Sequence, residues 1–127
     1  MSKDTERTIL CFLVGFLGPG GTGAVGAALG MAFLSKASPW GDLVGFVVGF
    51  ELGCGIGAGL ILYIISHVSR RAVWVRVLVF LWGLISPLVG LSLAARIGGN
   101  TFPGALGMVL IFNGMVAGSL YKKSPKN

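Results

Sequence analysis

The side chains of this sequence that could do chemistry are few, and Glu51 stands apart from the others. It lies inside a long apolar segment, "LVGFVVGFELGCGIGAGLIL". Carboxyl groups within a bilayer usually face the interior of a helix bundle or a transport pathway. Because burial disfavours the ionised form, Glu51 is a candidate proton or cation site. The alternative is a neutral or paired glutamate that fixes helix packing, with Lys36 or Arg96 as its partner.

Asn113 is the second polar candidate, near the middle of another apolar segment. It either completes a polar pathway with Glu51 or makes an interhelical hydrogen bond worth about 1 kcal/mol. Cys11 and Cys54 lie in separate apolar segments, and the single histidine, His67, adjoins the interfacial stretch "VSRR". Without paired acids or a nucleophile–base set, we expect no enzyme site, metal site or cofactor.

The stretch "GPGGTGAVGAALG" carries the spacing G-x-G-x-x-G from residue 21 to residue 26. A dinucleotide fingerprint also needs a βαβ unit and an acidic residue about 20 positions further on. The first acid downstream is Asp42, inside the turn-like "SPWGD". The nucleotide interpretation is therefore rejected.

If the same stretch lies in a membrane helix, its proline and glycines affect the regularity of that helix. Pro19 removes one helical hydrogen bond, while Gly20 and Gly21 add backbone freedom. The sequence therefore predicts a kink or a short unwound segment near mid-depth. Such a break either borders a transport pathway or is a proline kink sealed by neighbouring helices.

Composition identifies the elements that must position these residues. Of 127 residues, 54% are hydrophobic, only 11% are charged and 22 are glycine, whereas soluble domains carry about 25% charged residues. Four apolar segments, 8–34, 43–68, 72–95 and 104–121, approach or exceed the ~20 residues of a membrane-spanning helix. We predict an all-α membrane protein, a single domain over residues 1–127, built as a bundle of four transmembrane helices.

Positive charges predict the orientation of this bundle. Eight of the ten Lys and Arg residues flank the first segment, the second connection and the C-terminus. Both termini and the middle loop are therefore expected in the cytoplasm, with the chain integral to a bacterial cytoplasmic membrane. No basic patch is interleaved with aromatic residues, so we expect no nucleic-acid partner.

Glycine rows at i+4 spacing predict close helix packing of the glycine-zipper type. The second segment carries two rows on different faces, and the first segment carries a shorter one. The rows are Gly45, Gly49, Gly53 and Gly57; Glu51, Gly55 and Gly59; and Gly26 and Gly30. Two such faces suggest a sandwiched helix, so we expect a homo-oligomer or association with other membrane subunits.

The two halves of the chain also resemble each other. "LCFLVGFLGP" (10–19) matches "LVFLWGLISP" (78–87), and "GFVVGFE" (45–51) matches "GMVLIFN" (107–113). This pattern predicts a parallel repeat of two helical hairpins, in which Glu51 and Asn113 are equivalent. Two functions fit: an oligomeric transporter or channel with a buried glutamate, or a non-catalytic accessory subunit of a larger membrane complex.

Overall fold

Four α-helices account for nearly all of the described chain. The computed structural model describes residues 2–97 and 102–121, without the side chains of residues 97, 102 and 103. The helices are α1 (Lys3–Leu34), α2 (Gly41–Val68), α3 (Val73–Ile97) and α4 (Phe102–Leu120). The predicted all-helical fold is thus confirmed.

Three of these helices, α1, α2 and α3, are long and apolar enough to cross a membrane. The fourth differs from the sequence prediction, because α4 has only 19 residues. At a rise of ~1.5 Å per residue this is about 28 Å, slightly less than the ~30 Å hydrocarbon core. The described structure therefore supports three membrane-spanning helices, and the fourth span stays a prediction.

Local signals explain where the helices begin and end. α1 starts before its apolar segment because Ser2 is its N-cap, and the Ser2 side chain accepts a hydrogen bond from the Thr5 amide at 3.2 Å. α2 ends in a paired hydrogen-bond motif in which the Arg71 amide donates to Ser66 and the Arg70 amide to His67. Arg70 takes the left-handed position of this motif with φ 54°.

The helices form a ring in chain order. α1 contacts α2 and α4, α3 also contacts α2 and α4, and α2 reaches α4 across the centre. The described residues of α1 and α3 have no Cα pair within 8 Å. Leu62, Ala117 and Leu120 form a buried cluster at the centre, surrounded by partly buried residues of α2, α3 and α4.

The backbones of α1 and α2 touch along one line of glycines. A Cβ atom on Gly26 would collide with the carbonyl oxygen of Gly49, and one on Gly30 would collide with that of Gly45. One turn further along, a Cβ on Gly53 would meet the carbonyl oxygen of Thr22. The two helices are therefore antiparallel, with no room for side chains between them.

The second glycine face of α2 is covered by α3. A Cβ on Gly55 would lie 2.8 Å from the Leu84 carbonyl oxygen, and one on Gly59 would lie 3.0 Å from that of Phe80. Both faces are thus occupied by helices of the same chain. The two glycine faces of α2 are therefore explained within one chain, and they no longer argue for a second copy.

Of the two alternatives expected at Pro19, the unwound segment is wrong, and the kink stays a prediction. α1 is a continuous α-helix of 32 residues that contains Pro19, which is buried. A single proline removes one backbone hydrogen bond, and the helical bonds on either side maintain the conformation. A Cβ on Gly20 or Gly21 would have nothing within 4 Å, so these two glycines make no close helix contact.

Replacing Gly49 with alanine is expected to destabilise the bundle, because its Cβ has no space against the Gly26 carbonyl. Overpacking of this kind typically costs about 1–3 kcal/mol. Gly21→Ala is the matched control, since its Cβ meets nothing and alanine favours a helix by ~1 kcal/mol. Thermal unfolding in detergent should show a lower Tm for Gly49→Ala and an equal or higher Tm for Gly21→Ala. Equal Tm values for the two variants would contradict the backbone contact.

Candidate functional site

Glu51 is a buried carboxyl group without a partner. Its side chain is 9% exposed, and neither carboxyl oxygen has a hydrogen-bond partner within the described part of the chain. Cys54, Ala58 and Leu62, which follow at helical spacing, are buried as well. Glu51 therefore lies on the stripe of α2 that faces the interior of the bundle.

The glycine row that begins at Glu51 explains this position. Gly55 and Gly59 have no side chains, so α3 approaches them closely at Leu84 and Phe80. Continuing this antiparallel register by one turn places Glu51 at the level of Leu88, directly after Pro87.

Neither expected cationic partner reaches Glu51. Lys36 is exposed in the turn between α1 and α2, and Glu51 is ten residues into α2, about 15 Å along the axis. Arg96 is exposed and lies eight residues beyond Leu88, about 12 Å along α3. The structure contains no ion pair between Glu51 and either residue.

Asn113, in contrast to Glu51, makes hydrogen bonds through both its side-chain oxygen and its side-chain nitrogen. It is 1% exposed, its Oδ1 accepts from the Trp82 indole at 2.9 Å, and its Nδ2 donates to the Ser86 hydroxyl at 3.0 Å. Trp82 also packs edge-on against Phe112, with ring centroids 5.4 Å apart. These bonds join α4 to α3, as expected for an interhelical hydrogen bond of Asn113.

Ser86 compensates for the proline that follows it. Pro87 has no amide hydrogen, so the carbonyl of Gly83, four residues earlier, loses its helical donor. The Ser86 hydroxyl donates to that carbonyl at 3.1 Å, in a buried position. One side chain therefore repairs the helix and accepts the hydrogen bond from Asn113.

The structure separates the polar residues that the sequence grouped together. A Cβ on Gly18 would contact the Ile61 side chain, and Ile61 is ten residues from Glu51, or about 15 Å along α2. Gly15 instead packs on α4, where its Cβ would lie 3.1 Å from the Asn113 carbonyl oxygen. The turn before Pro19 thus adjoins Asn113, and Glu51 stands alone at the interface of α2 with α3.

Sequence analysis missed Trp82, Ser86 and the structural role of Arg71. Arg71 donates from Nε to the Leu120 carbonyl at 3.1 Å and from Nη2 to that of Ser119 at 3.0 Å. It therefore caps the C-terminal end of α4. Of these three residues, only Ser86 could have been found from the sequence. A hydroxyl directly before a proline in a membrane helix can hydrogen-bond to the carbonyl that the proline leaves without a donor.

The chemistry open to this site is that of one carboxyl group. Among the described residues, no three His, Cys, Asp or Glu side chains are placed to hold a metal ion. A single carboxyl group can hold one proton, and no further acidic group is needed for this.

Removal of the Asn113 side chain is expected to destabilise the α3–α4 pair through Trp82. In Asn113→Leu the indole N–H loses its acceptor, and hydrogen bonds inside membranes average ~0.6 kcal/mol with a maximum of ~1.7. A double-mutant cycle with Trp82→Phe, measured by unfolding in detergent, should give a coupling energy in that range. Ser119→Ala, which loses only a bond within its own helix, is the control and should couple to neither. Additive effects of Asn113→Leu and Trp82→Phe would contradict the interaction.

Comparison of the chain with known protein families, with curated proteins and with solved structures finds no match to any of the three.

Proposed function

We propose that this protein is a small membrane transporter or channel in which Glu51 takes up and releases a proton. The proposal rests on one observation: both carboxyl oxygens of Glu51 are buried without a hydrogen-bond partner in the described structure. Buried polar groups in native proteins nearly always have partners, and an unpartnered one requires an explanation. Exchange of a proton supplies that explanation.

The contrast with Asn113 supports this choice. Asn113 bonds to Trp82 and Ser86, so its polarity stabilises the bundle. Glu51 contributes no such bond, and an ionised carboxylate here would cost several kcal/mol. Because no hydrogen bond of the described structure depends on the side chain of Glu51, its proton can be exchanged without breaking a bond of the fold once water reaches the carboxyl group.

A proton suits this site better than a metal cation does. Hard cations such as Ca²⁺ take about 6–8 oxygen ligands. Glu51 supplies two oxygens, and the next residues on its buried stripe are Cys54, Gly55 and Ala58. The proton is the ion that one carboxyl group can bind alone.

We also propose the finer architecture as part of this function. The glycine rows of α1 and α2 act as a zipper within one chain, and α4 crosses the membrane as a slightly short fourth span. The halves α1–α2 and α3–α4 form a parallel repeat of two hairpins, with both termini in the cytoplasm. Glu51 lies where the two halves meet, which is where transporters built from repeats bind their ions.

An accessory subunit is the second candidate, and one surface favours it. An apolar groove of about 470 Å³ runs along the outer side of α1 and α2, lined by glycines and by exposed side chains such as Phe33 and Leu52. A transmembrane helix of another subunit would fit against this surface. Recovery of a stoichiometric partner after extraction in mild detergent would favour this role.

Glu51→Gln is expected to abolish proton movement while preserving the shape of the side chain. In proteoliposomes with an internal pH-sensitive dye, proton flux under a pH gradient should fall by at least ~100-fold, the contribution of a positioned proton-transfer group. Asp42→Asn removes an exposed carboxyl at the start of α2 and should leave the flux unchanged.

Infrared difference spectra between acidic and alkaline buffer give a second measurement. The native chain should show a carboxyl band that Glu51→Gln removes and Asp42→Asn retains. A flux equal in both variants, together with a band that persists in Glu51→Gln, would contradict the proposal.

A further inference from the structure

A second groove lies between α1 and α4, at the end of the bundle where positive charges gather. It has a volume of about 450 Å³ and lies on the outer surface. Its lining residues are Thr8, Ile9, Phe12, Met115, Gly118 and Ser119. The Thr8 hydroxyl donates to the Asp4 carbonyl and the Ser119 hydroxyl to the Val116 carbonyl. Both hydroxyls are thus bonded within their own helices, and the groove presents an apolar wall.

Glycine keeps this groove open. A Cβ on Gly118 would have only ordinary contacts, 3.7 Å from the Phe12 Cβ and 3.7 Å from the Thr8 carbonyl oxygen. One turn earlier along α4, a Cβ on Gly114 would lie 3.0 Å from the Phe12 ring. The helices are therefore in closer contact at Gly114 than at Gly118, beside which the apolar groove lies on the outer surface.

Two arginines adjoin the lining residues of this groove, although neither is itself a lining residue. Arg71 donates to the carbonyl of Ser119, one of the lining residues, at 3.0 Å. Arg7 directly precedes the lining residue Thr8 and is exposed, and both Tyr121, just beyond α4, and the carboxyl group of Asp4 act on it electrostatically. The apolar groove thus lies beside positive charge.

We propose that this groove binds one anionic phospholipid. The acyl chain lies against Ile9, Phe12 and Met115, and the phosphate lies at Arg7 and Arg71. Guanidinium groups bind phosphate through paired, charge-assisted hydrogen bonds. The shape and the charge of the groove match the two parts of one such lipid, and the inference does not depend on Glu51.

A general attraction of basic residues to the membrane surface predicts a different behaviour. That attraction acts on every exposed cation near the surface and involves no groove. Site-specific binding requires the apolar groove as well as the arginine. A substitution that fills the groove without altering charge therefore separates the two explanations.

The test is native mass spectrometry of the full chain in detergent, titrated with dioleoyl phosphatidylglycerol or dioleoyl phosphatidylcholine. The two lipids share acyl chains and differ in net charge. Gly118→Leu should remove most binding of both lipids. Arg7→Gln should weaken phosphatidylglycerol binding by about five-fold, the effect of one basic residue near an anionic headgroup. It should weaken phosphatidylcholine binding less, because the choline cation offsets the charge of its phosphate.

Three variants serve as controls. Gly107→Leu adds the same side chain at a site of α4 where a Cβ meets nothing within 4 Å. Lys36→Gln removes an exposed charge from the turn between α1 and α2, and Glu51→Gln leaves the groove untouched. All three should bind both lipids like the native chain.

Several results would overturn the proposal. These are equal affinity for the two lipids, undiminished binding in Gly118→Leu, equal losses in Arg7→Gln and Lys36→Gln, or displacement of phosphatidylglycerol by inorganic phosphate alone. A crosslink at Met115 to a second copy of the chain would also overturn it. Because Arg7 is exposed, Arg7→Gln keeps the test decisive even if Gly118→Leu fails to fold.

Discussion

Backbone contact between α1 and α2 is the constraint on which the rest of the structure depends. Gly26, Gly30, Gly45 and Gly49 leave no Cβ between the two helices, so each backbone lies directly on the other. This contact fixes the register and rotation of α2. Because one face of α2 packs on α1, its second glycine face lies toward α3. Gly55 and Gly59 on that face allow α3 to approach closely. The carboxyl group of Glu51 is thereby buried in the bundle.

Lipid cannot supply hydrogen bonds, so every polar group within the bundle must find a partner in the protein. Pro87 frees a carbonyl, Ser86 bonds to it, and Asn113 then uses the same hydroxyl to join α4 to α3. At the end of the bundle Arg71 bonds to two carbonyls of the last turn of α4. A positive charge at the C-terminal end of a helix is also favoured by the helix dipole. Among the described residues, the buried side-chain atoms without a hydrogen-bond partner are the two carboxyl oxygens of Glu51 and Ser69 Oγ. Ser69 lies at the end of α2, whereas Glu51 lies well inside that helix.

The sequence predicted the helices well because apolar length determines them, and it predicted contacts poorly because contacts depend on distant residues. The Trp82–Asn113 bond joins positions 31 apart, and no local pattern connects them. The glycine rows of α2 marked two faces for close approach, but a row cannot tell a helix of the same chain from a second copy. At Pro19 the proline and the neighbouring glycines predicted a kink or a short unwound segment. The helix is continuous through Pro19, because one missing hydrogen bond does not unwind a helix whose neighbouring turns are intact.

The stiffness of the two halves determines how the proposed proton site would open. α1 and α2 are joined backbone to backbone, so neither can shift without losing many contacts at once. α3 and α4 are linked by the bonds of Asn113, and α3 contains Pro87, whose missing amide hydrogen removes one backbone bond from that helix. α3 is nevertheless held to α2 at Gly55 and Gly59, and α4 is held to α1 at Gly15, so exposure of the site would require movement of α3 with α4 away from these contacts. In the proposed transport cycle, that movement would uncover the one carboxyl group that no bond holds in place.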